Sequence, residues 1–465
     1  MGCKQSRSQR ACAALKEPTS GNFKMEPDSD SLTVIVVHYN PCQYKRRAVL
    51  VNDCISRLCD KKGQLCHKAR TSRSTRVVPK LHIVAVELTY GDQDPDIVPR
   101  EEVDLIRRSV AVRDIMWSKE QLINLAIKRL PAHCKYISWM DSDIAFIDDE
   151  WVESTIGVLS THPKSFAQLW ATCDMLGPDG NPQLRVTSFA QQYTIGKTYQ
   201  DVANKHKEYW HPGFVWAATR EALECTNGLI AQTLGSADRH MAMAFLNRAA
   251  ETVPKGLHAS YRTQVLNWEQ LVQLCGIELV VVPLKICHFF HGSMKHRQYM
   301  ERWDILKVCK FDLLEHLQHD PDQDLYVWSD SCPYLLVQMV SDYFQQRQED
   351  SDETDDADAV DEIVNSVYDA AVIAGDVISA GTFQQGQGDE NEVDVVHDIP
   401  IAVLPLHDLI ESAGAYLAHV LPTETLENGE QTSAAIDPAN SCAPTLPSGN
   451  EVVTTAYASA FTGYA

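Results

Sequence analysis

Apolar residues along the chain fall into short continuous runs separated by stretches of helical spacing, the alternation of an α/β protein. Ser31 to Pro41 reads Ser-Leu-Thr-Val-Ile-Val-Val-His-Tyr-Asn-Pro, a β-branched run that predicts a buried parallel strand delivering a polar loop. Arg46–Leu58 follows with apolar residues at helical spacing, and Lys61–Arg76, basic and serine-rich, reads as a surface insertion. Leu81–Leu88 predicts a second strand ended by the turn Tyr90-Gly91-Asp92, and Ser118–Arg129 a helix stopped by Pro131. Lys135-Tyr136-Ile137-Ser138 opens a further strand that runs into Trp139-Met140-Asp141-Ser142-Asp143. Farther on, Met241–Leu246 has the spacing of a core helix, and Ile277–Ile286 is strand-like but interrupted by Pro283. Strand–helix–strand–helix–strand predicts a sheet with right-handed crossovers and a ligand site at the carboxyl ends of its strands. Tyr39-Asn40, Glu87 and Asp141–Asp143 all emerge at that edge.

Composition divides the chain. The net charge of −22 is confined to one end: residues 349–465 hold 23 Asp and Glu and not one Lys or Arg, so 1–348 carries a net charge of +1. Three segments follow: 1–30, a flexible N-terminal segment open to acylation; 31–345, the folded body; and 346–465, an acidic tail that lacks the apolar content to offset chain entropy and is expected to be mostly disordered. Within the tail, Val364–Ala380 and Ile399–Leu421 are the two stretches apolar enough to form a helix or docking segment. A chain ending near Gln348 is expected to keep its fold. The charge balance argues against nucleic acid as a partner.

Fourteen cysteines are scattered without a paired C-x₂-C spacing, which reads as free thiols in a reducing compartment. No secretory h-region or run of about 18 apolar residues is visible. Met1-Gly2-Cys3-Lys4-Gln5-Ser6 fits the N-myristoylation pattern, with Gly2 as the acyl site and Cys3 available for palmitoylation. Two acyl chains hold a protein on a membrane where one does so only marginally. The expected location is cytoplasmic, at the cytoplasmic face of a membrane if the motif is used.

The chemistry begins with Asp141 and Asp143. Two carboxylates one residue apart at a strand end are compact hard-oxygen ligands that suit Mg²⁺ or Mn²⁺ bridged to substrate phosphates. Such pairs also occur as solvated strand ends, and it is the convergence of three polar loops that favours a site.

In this setting the chain resembles the GT-A nucleotide-sugar glycosyltransferases. It is most similar to family 2 enzymes and more distantly to the beta-1,4-galactosyltransferases, from about Leu32 to Tyr326. The resemblance implies a Rossmann-like mixed sheet flanked by helices. Val37-His38-Tyr39-Asn40-Pro41 matches the loop that holds the nucleotide, so Tyr39 and Asn40, with Glu87 at the same edge, are expected to bind the donor. Lys119-Glu120-x-x-x-Asn124 resembles the helix after the second strand and adds Lys119. Asp141-Ser142-Asp143 matches the DxD, the metal and diphosphate site. His211-Pro212-Gly213-Phe214-Val215-Trp216 is similar to the acceptor-side segment, with Trp210, His211, Gly213 and Trp216 as candidates. Asp238 stands where inverting members keep the catalytic base. The usual Glu-Asp pair is Ala237-Asp238 here, which affects acceptor contacts more than the chemistry. His288 and His291 match late metal ligands, His291 the better of the two, and Lys295, Arg297 and Arg302 would meet diphosphate charge. The implied reaction is inverting transfer from a nucleotide sugar, a UDP-sugar first among them, to a glycan, protein or lipid hydroxyl with Mn²⁺ or Mg²⁺.

Blander roles stand beside these. Asp238 can cap a helix, Trp210 and Trp216 can be core residues rather than sugar platforms, and either histidine can be packed in the core. A haloacid dehalogenase-type phosphatase also uses Asp-x-Asp, but in its first strand and with Thr or Val two residues on, where this chain has Ala145. A sugar-phosphate nucleotidyltransferase needs a Gly-rich basic loop after the first strand, where this chain has Tyr39-Asn40-Pro41. The non-enzymatic alternative is a catalytically inactive, membrane-tethered scaffold of the same fold.

Overall fold

The computed structural model describes residues 30–71, 78–196 and 210–355. Gly2, Cys3, Val364–Ala380 and Ile399–Leu421 lie outside the described residues. The elements in order are β1 (Leu32–Tyr39), α1 (Lys45–Thr71), β2 (Leu81–Tyr90), β3 (Val103–Val110), α2 (Lys119–Arg129), β4 (Tyr136–Met140), β5 (Ile144–Phe146), α3 (Trp151–Thr161), β6 (Ser165–Gln168), β7 (Thr172–Leu176), β8 (Pro182–Ser188) and α4 (Phe189–Thr194). They continue with β9 (Trp210–His211), β10 (Val215–Thr219), α5 (Arg220–Cys225), α6 (Ala237–Ala244), α7 (Ala259–Cys275), β11 (Glu278–Val281), β12 (Lys285–His288), α8 (Arg302–Val308), α9 (Leu313–His316), β13 (Leu317–Asp320), β14 (Leu325–Trp328) and α10 (Tyr334–Gln346).

The main sheet has the order β11-β6-β10-β4-β1-β2-β3. β4, β1, β2 and β3 run parallel, and β10 runs antiparallel between β4 and β6. β1 shows why a continuous apolar run is needed: Leu32, Val34 and Val36 pack with α1 and α3, whereas Ile35 packs on the opposite face with α2. A strand covered on both sides cannot alternate apolar with polar.

A five-stranded sheet, β5-β12-β7-β8-β9, lies alongside. Pro283 is the reason that Ile277–Ile286 is two strands rather than one: β11 pairs with β6 in the main sheet and β12 with β5 and β7 in the second. Proline cannot donate to a ladder, so the chain changes sheets there. The basic segment Lys61–Arg76 differs from the expected insertion. Its first eleven residues complete α1, with Leu65 buried and Lys62 Nζ donating to the Glu102 carbonyl at 2.8 Å.

The start of the acidic segment is bound to the body. Glu349 is only 2% exposed and pairs with Arg47 at 2.9 Å and Arg347 at 2.5 Å. The Asp350 carboxylate accepts from the backbone N–H groups of Lys45 and Arg46 at 3.0 and 2.8 Å, capping α1 with negative charge at its positive end. Asp352 pairs with Arg46 at 2.5 Å, Glu353 with Lys295, and Asp355 accepts from Met294 N–H at 2.6 Å. The expectation that the chain can end near Gln348 is therefore revised. Ending it there strands the buried Arg347 without its carboxylate, which costs about 3–5 kcal/mol, and takes the same partner from the partly exposed Arg47. A chain ending after Asp355 is expected to melt with the full-length protein and one ending at Gln348 many degrees lower, as a thermal denaturation series would show.

Candidate active site

β4 ends at Met140, and the next residue, Asp141, donates its N–H to the Phe214 carbonyl at 3.0 Å. The chain then turns through Ser142 and Asp143 into β5. β5 pairs antiparallel with β12, Ile144 opposite His288, and Phe289 N–H donates to the Asp143 carbonyl at 2.8 Å. This register sets the end of β12 against the acidic turn. His288 Nε2 lies 3.7 Å from Asp143 Oδ1, and His291 Nε2 lies 2.9 Å from Asp143 Oδ2. The ligand atoms of the three residues are all within 4.8 Å of one another.

The electrostatics suit a divalent cation. Burial pushes the His288 imidazole down to about 3, against the pull of Asp143, so it is neutral at neutral pH and offers a lone pair. Burial would raise the Asp143 carboxyl, but His288, His291 and Arg297 outweigh it and hold it well below the usual carboxylate range. One contact tests the fit directly. Arg297 Nη2 lies 3.0 Å from His291 Nε2. A guanidinium only donates and the Asp143 carboxylate, 2.9 Å from the same nitrogen, only accepts, so Nε2 can satisfy one of the two but not both. A cation shared between the nitrogen and the carboxylate would satisfy both, and Asp143 Oδ1 is buried without a hydrogen bond. The residues fit Mn²⁺ or Mg²⁺.

Asp141 stands apart from these three. Its carboxylate pairs with Lys119 Nζ at 2.5 Å. Lys119 and Glu120 open α2, whose Leu122, Ile123, Leu125 and Ala126 are buried in the core and fix the helix start at the sheet edge. Burial opposes the charge on Lys119, but Asp141, Asp238 and Glu120 together raise its affinity for the proton. Glu120 was not singled out from sequence as a site residue. Burial pushes its carboxyl up to about 8, against Lys119, and its Oε2 has no hydrogen bond. With Asp238 and Asp141 adding to the effect of burial, the protonated acid, which can donate, is favoured, a property set by tertiary contact.

The opposite wall comes from β9, β10 and α6. His211 Nδ1 accepts from Gly213 N–H at 3.1 Å, and burial pushes the ring down to about 4. Its ring stacks on Phe214, centroids 4.0 Å apart, and Phe214 lies 5.0 Å from His288. Phe214 and Ser236 both hold left-handed backbone, φ 81° and 74°, an arrangement that costs about 1–3 kcal/mol per non-glycine residue and clusters at functional sites. Asp238, in the first turn of α6, takes the Arg239 N–H on Oδ1 at 2.9 Å. A Cβ added to Gly213 would lie 2.9 Å from Asp238 Oδ2 and 3.0 Å from His211 Cε1, so this glycine permits the approach of strand and carboxylate. Gly213→Ala is expected to displace the carboxylate and lower turnover by about 100-fold, the effect of a misplacement near 1 Å, with little change in melting temperature. Steady-state kinetics beside a thermal melt would check it.

Other sequence candidates serve the fold. Glu87 is 1% exposed, and its two oxygens accept from Ile97 N–H at 2.8 Å and Arg107 Nε at 2.9 Å. Tyr39 is buried edge-on to Trp117 and Phe344. Asn40 bonds both backbone groups of Tyr44 at 2.9 Å and the Asp96 carboxylate at 2.8 Å, which shapes the loop after β1. Trp210 is fully buried against Phe189, and Trp216 donates to the Pro212 carbonyl at 2.7 Å from inside the core. Arg302 is tied to Ser236 Oγ and Lys295 to Glu353, which leaves Arg297 as the basic residue of the three that faces the Asp143 group.

A carboxylate turn after β4, the antiparallel β10 beside it, and two histidines returned by the second sheet meet at one sheet edge. The fold is α/β, a mixed sheet flanked by helices, as the sequence led one to expect. No family model matches the chain, and no curated protein matches it. Solved structures to which it is similar include the catalytic domain of Drosophila beta1,4-galactosyltransferase 7 in complex with xylobiose. That match has 11% identity and a TM-score of 0.24, and covers 54% of this chain and 64% of that one. Another is glucosyl-3-phosphoglycerate synthase from Mycobacterium tuberculosis in complex with Mn²⁺, UDP-glucose and phosphoglyceric acid, at 12% identity and a TM-score of 0.26, covering 60% and 77%. A third is a nucleotide-diphospho-sugar transferase, so described only provisionally, from Desulfovibrio desulfuricans, at 12% identity and a TM-score of 0.23, covering 68% and 97%. The chain thus spans less than two thirds of the galactosyltransferase it matches. Among the described residues no helix is long and apolar enough to cross a membrane.

Proposed function

We propose that the protein is a metal-dependent, inverting glycosyltransferase that moves a sugar from a nucleoside-diphosphate sugar, a UDP-sugar first among them, to an acceptor hydroxyl. The observation that carries this reading is the pairing, on one sheet edge, of the Asp143–His288–His291 group with a separate carboxylate, Asp238, on the facing wall. Asp143, His288 and His291 would hold a divalent cation, which when bound would neutralise charge on the departing diphosphate without a proton transfer. Two imidazoles among the donors favour Mn²⁺ over Mg²⁺, which demands near-ideal octahedral oxygen coordination.

The chain's own groups do the rest. Arg297 meets diphosphate oxygens from beside His291. Lys119 holds Asp141 in place and adds positive charge between the two walls. Asp238 takes the proton of the acceptor hydroxyl as its oxygen attacks the anomeric carbon, and the C–O bond to the diphosphate breaks with its electron pair leaving on oxygen. Buried, neutral His211 and protonated Glu120 flank the reacting groups without competing for that proton. The test is nucleotide-sugar hydrolysis across UDP, GDP and dTDP donors, with and without Mn²⁺. Mn²⁺-dependent release of the diphosphate from one donor is expected, and its absence with every donor would favour a catalytically inactive scaffold.

A further inference from the structure

We propose that Glu349, at the head of the acidic segment, is a positioning residue of the metal centre that orients His291 through its Nδ1. This rests on the reading of Asp143, His288 and His291 given above. His291 Nε2 meets Arg297 at 3.0 Å and Asp143 Oδ2 at 2.9 Å; with a cation shared between Nε2 and that carboxylate, Nε2 carries the lone pair and the ring proton belongs on Nδ1. His291 Nδ1 is buried and has no hydrogen bond to any other described group, and Glu349 Oε2 lies 3.5 Å from it. Glu349 is in turn fixed by Arg47 and Arg347, both through its side chain.

The backbone gives an independent sign that this segment is built against the metal loop. Gly292, next to His291, has φ 97°, and a Cβ there would meet Glu349 Cα at 3.2 Å and the Gln348 carbonyl at 3.3 Å. The two backbones touch where only glycine fits. A carboxylate on the far nitrogen of a ligating histidine fixes its tautomer and strengthens the ligand, and losing such a partner typically weakens metal binding by 10–100-fold. The acidic segment therefore contributes a carboxylate to a site whose other groups come from β4–β5 and the end of β12.

The test uses the full chain and Mn²⁺ alone. Calorimetric Mn²⁺ affinity should fall by about 10–100-fold in Glu349→Gln and stay unchanged in Asp352→Asn, which removes a neighbouring exposed acid. An unaltered affinity in Glu349→Gln, with binding by the unaltered chain intact, overturns the role of Glu349 and leaves the site standing. Failure of the unaltered chain to bind Mn²⁺ overturns both. If Glu349→Gln does not fold, ¹⁵N-histidine spectra of the unaltered, metal-free chain decide the matter, with His291→Gln for assignment. The Nδ1–H tautomer of His291 is expected, and the Nε2–H tautomer would refute the proposal.

Discussion

Asp143→Ala is expected to reduce Mn²⁺ affinity by more than about 100-fold, beyond the cost of losing a supporting group, and to abolish Mn²⁺-dependent binding of a UDP-sugar. Its carboxylate is the group that both histidines face, at 3.7 and 2.9 Å, and its surroundings hold its carboxyl well below the usual range. Removing it leaves two imidazoles and a guanidinium, a set with little attraction for a dication. Asp141→Ala should cost less, because that carboxylate is engaged by Lys119. Titration calorimetry of both variants with Mn²⁺, then with donor at saturating Mn²⁺, orders them. Equal losses would show that Asp141 leaves Lys119 to join the centre, and an unchanged affinity in Asp143→Ala would remove the centre altogether.

Asp238→Asn is expected to lower kcat by about 10²–10⁴, the usual contribution of a positioned base, with the donor KM nearly unchanged. The amide keeps the shape beside Gly213 and the bond from Arg239 N–H, but cannot accept the acceptor's proton. Loss of donor binding together with turnover would mark Asp238 as structural. The product's anomeric configuration is a second check: retention would exclude direct displacement assisted by this base.

Much of the layout was legible because it depends on local pattern. β1 and α2 announce themselves by apolar runs and by the stop at Pro131, and the Asp-x-Asp turn by its strand. What was not legible depends on tertiary contact. β3, Val103–Val110, reads Val-Asp-Leu-Ile-Arg-Arg-Ser-Val, and its polar residues conceal an edge strand that pairs along its whole length with Ile83–Tyr90 of β2. Glu87 stands near a strand end in sequence, but β2 continues to Tyr90, so the carboxylate is spent holding Ile97 and Arg107. Trp210 and Trp216 could be platforms or core until their burial was known. Glu120 was read only as part of the Lys119–Asn124 match and Glu349 only as an acid of the tail, since one owes its protonation to burial and the other its place to arginines some 300 residues away or next door. Within 349–355, composition spoke for repulsion among like charges, and the body answers each charge with a base or a backbone N–H.

The position of Glu349 also bears on biosynthesis. A nascent chain lengthens by about 5–20 residues per second and folds from its N-terminal side. Asp143 leaves the ribosome roughly 200 residues ahead of Glu349, with the two histidines between them in order of emergence. Until that glutamate arrives, Arg47 and Arg347 lack their shared partner and His291 lacks its anchor. The centre is therefore finished among the last parts of the body to be synthesised, and ribosome-bound chains halted before residue 349 should display the Asp143 carboxylate without holding Mn²⁺ as the released protein does.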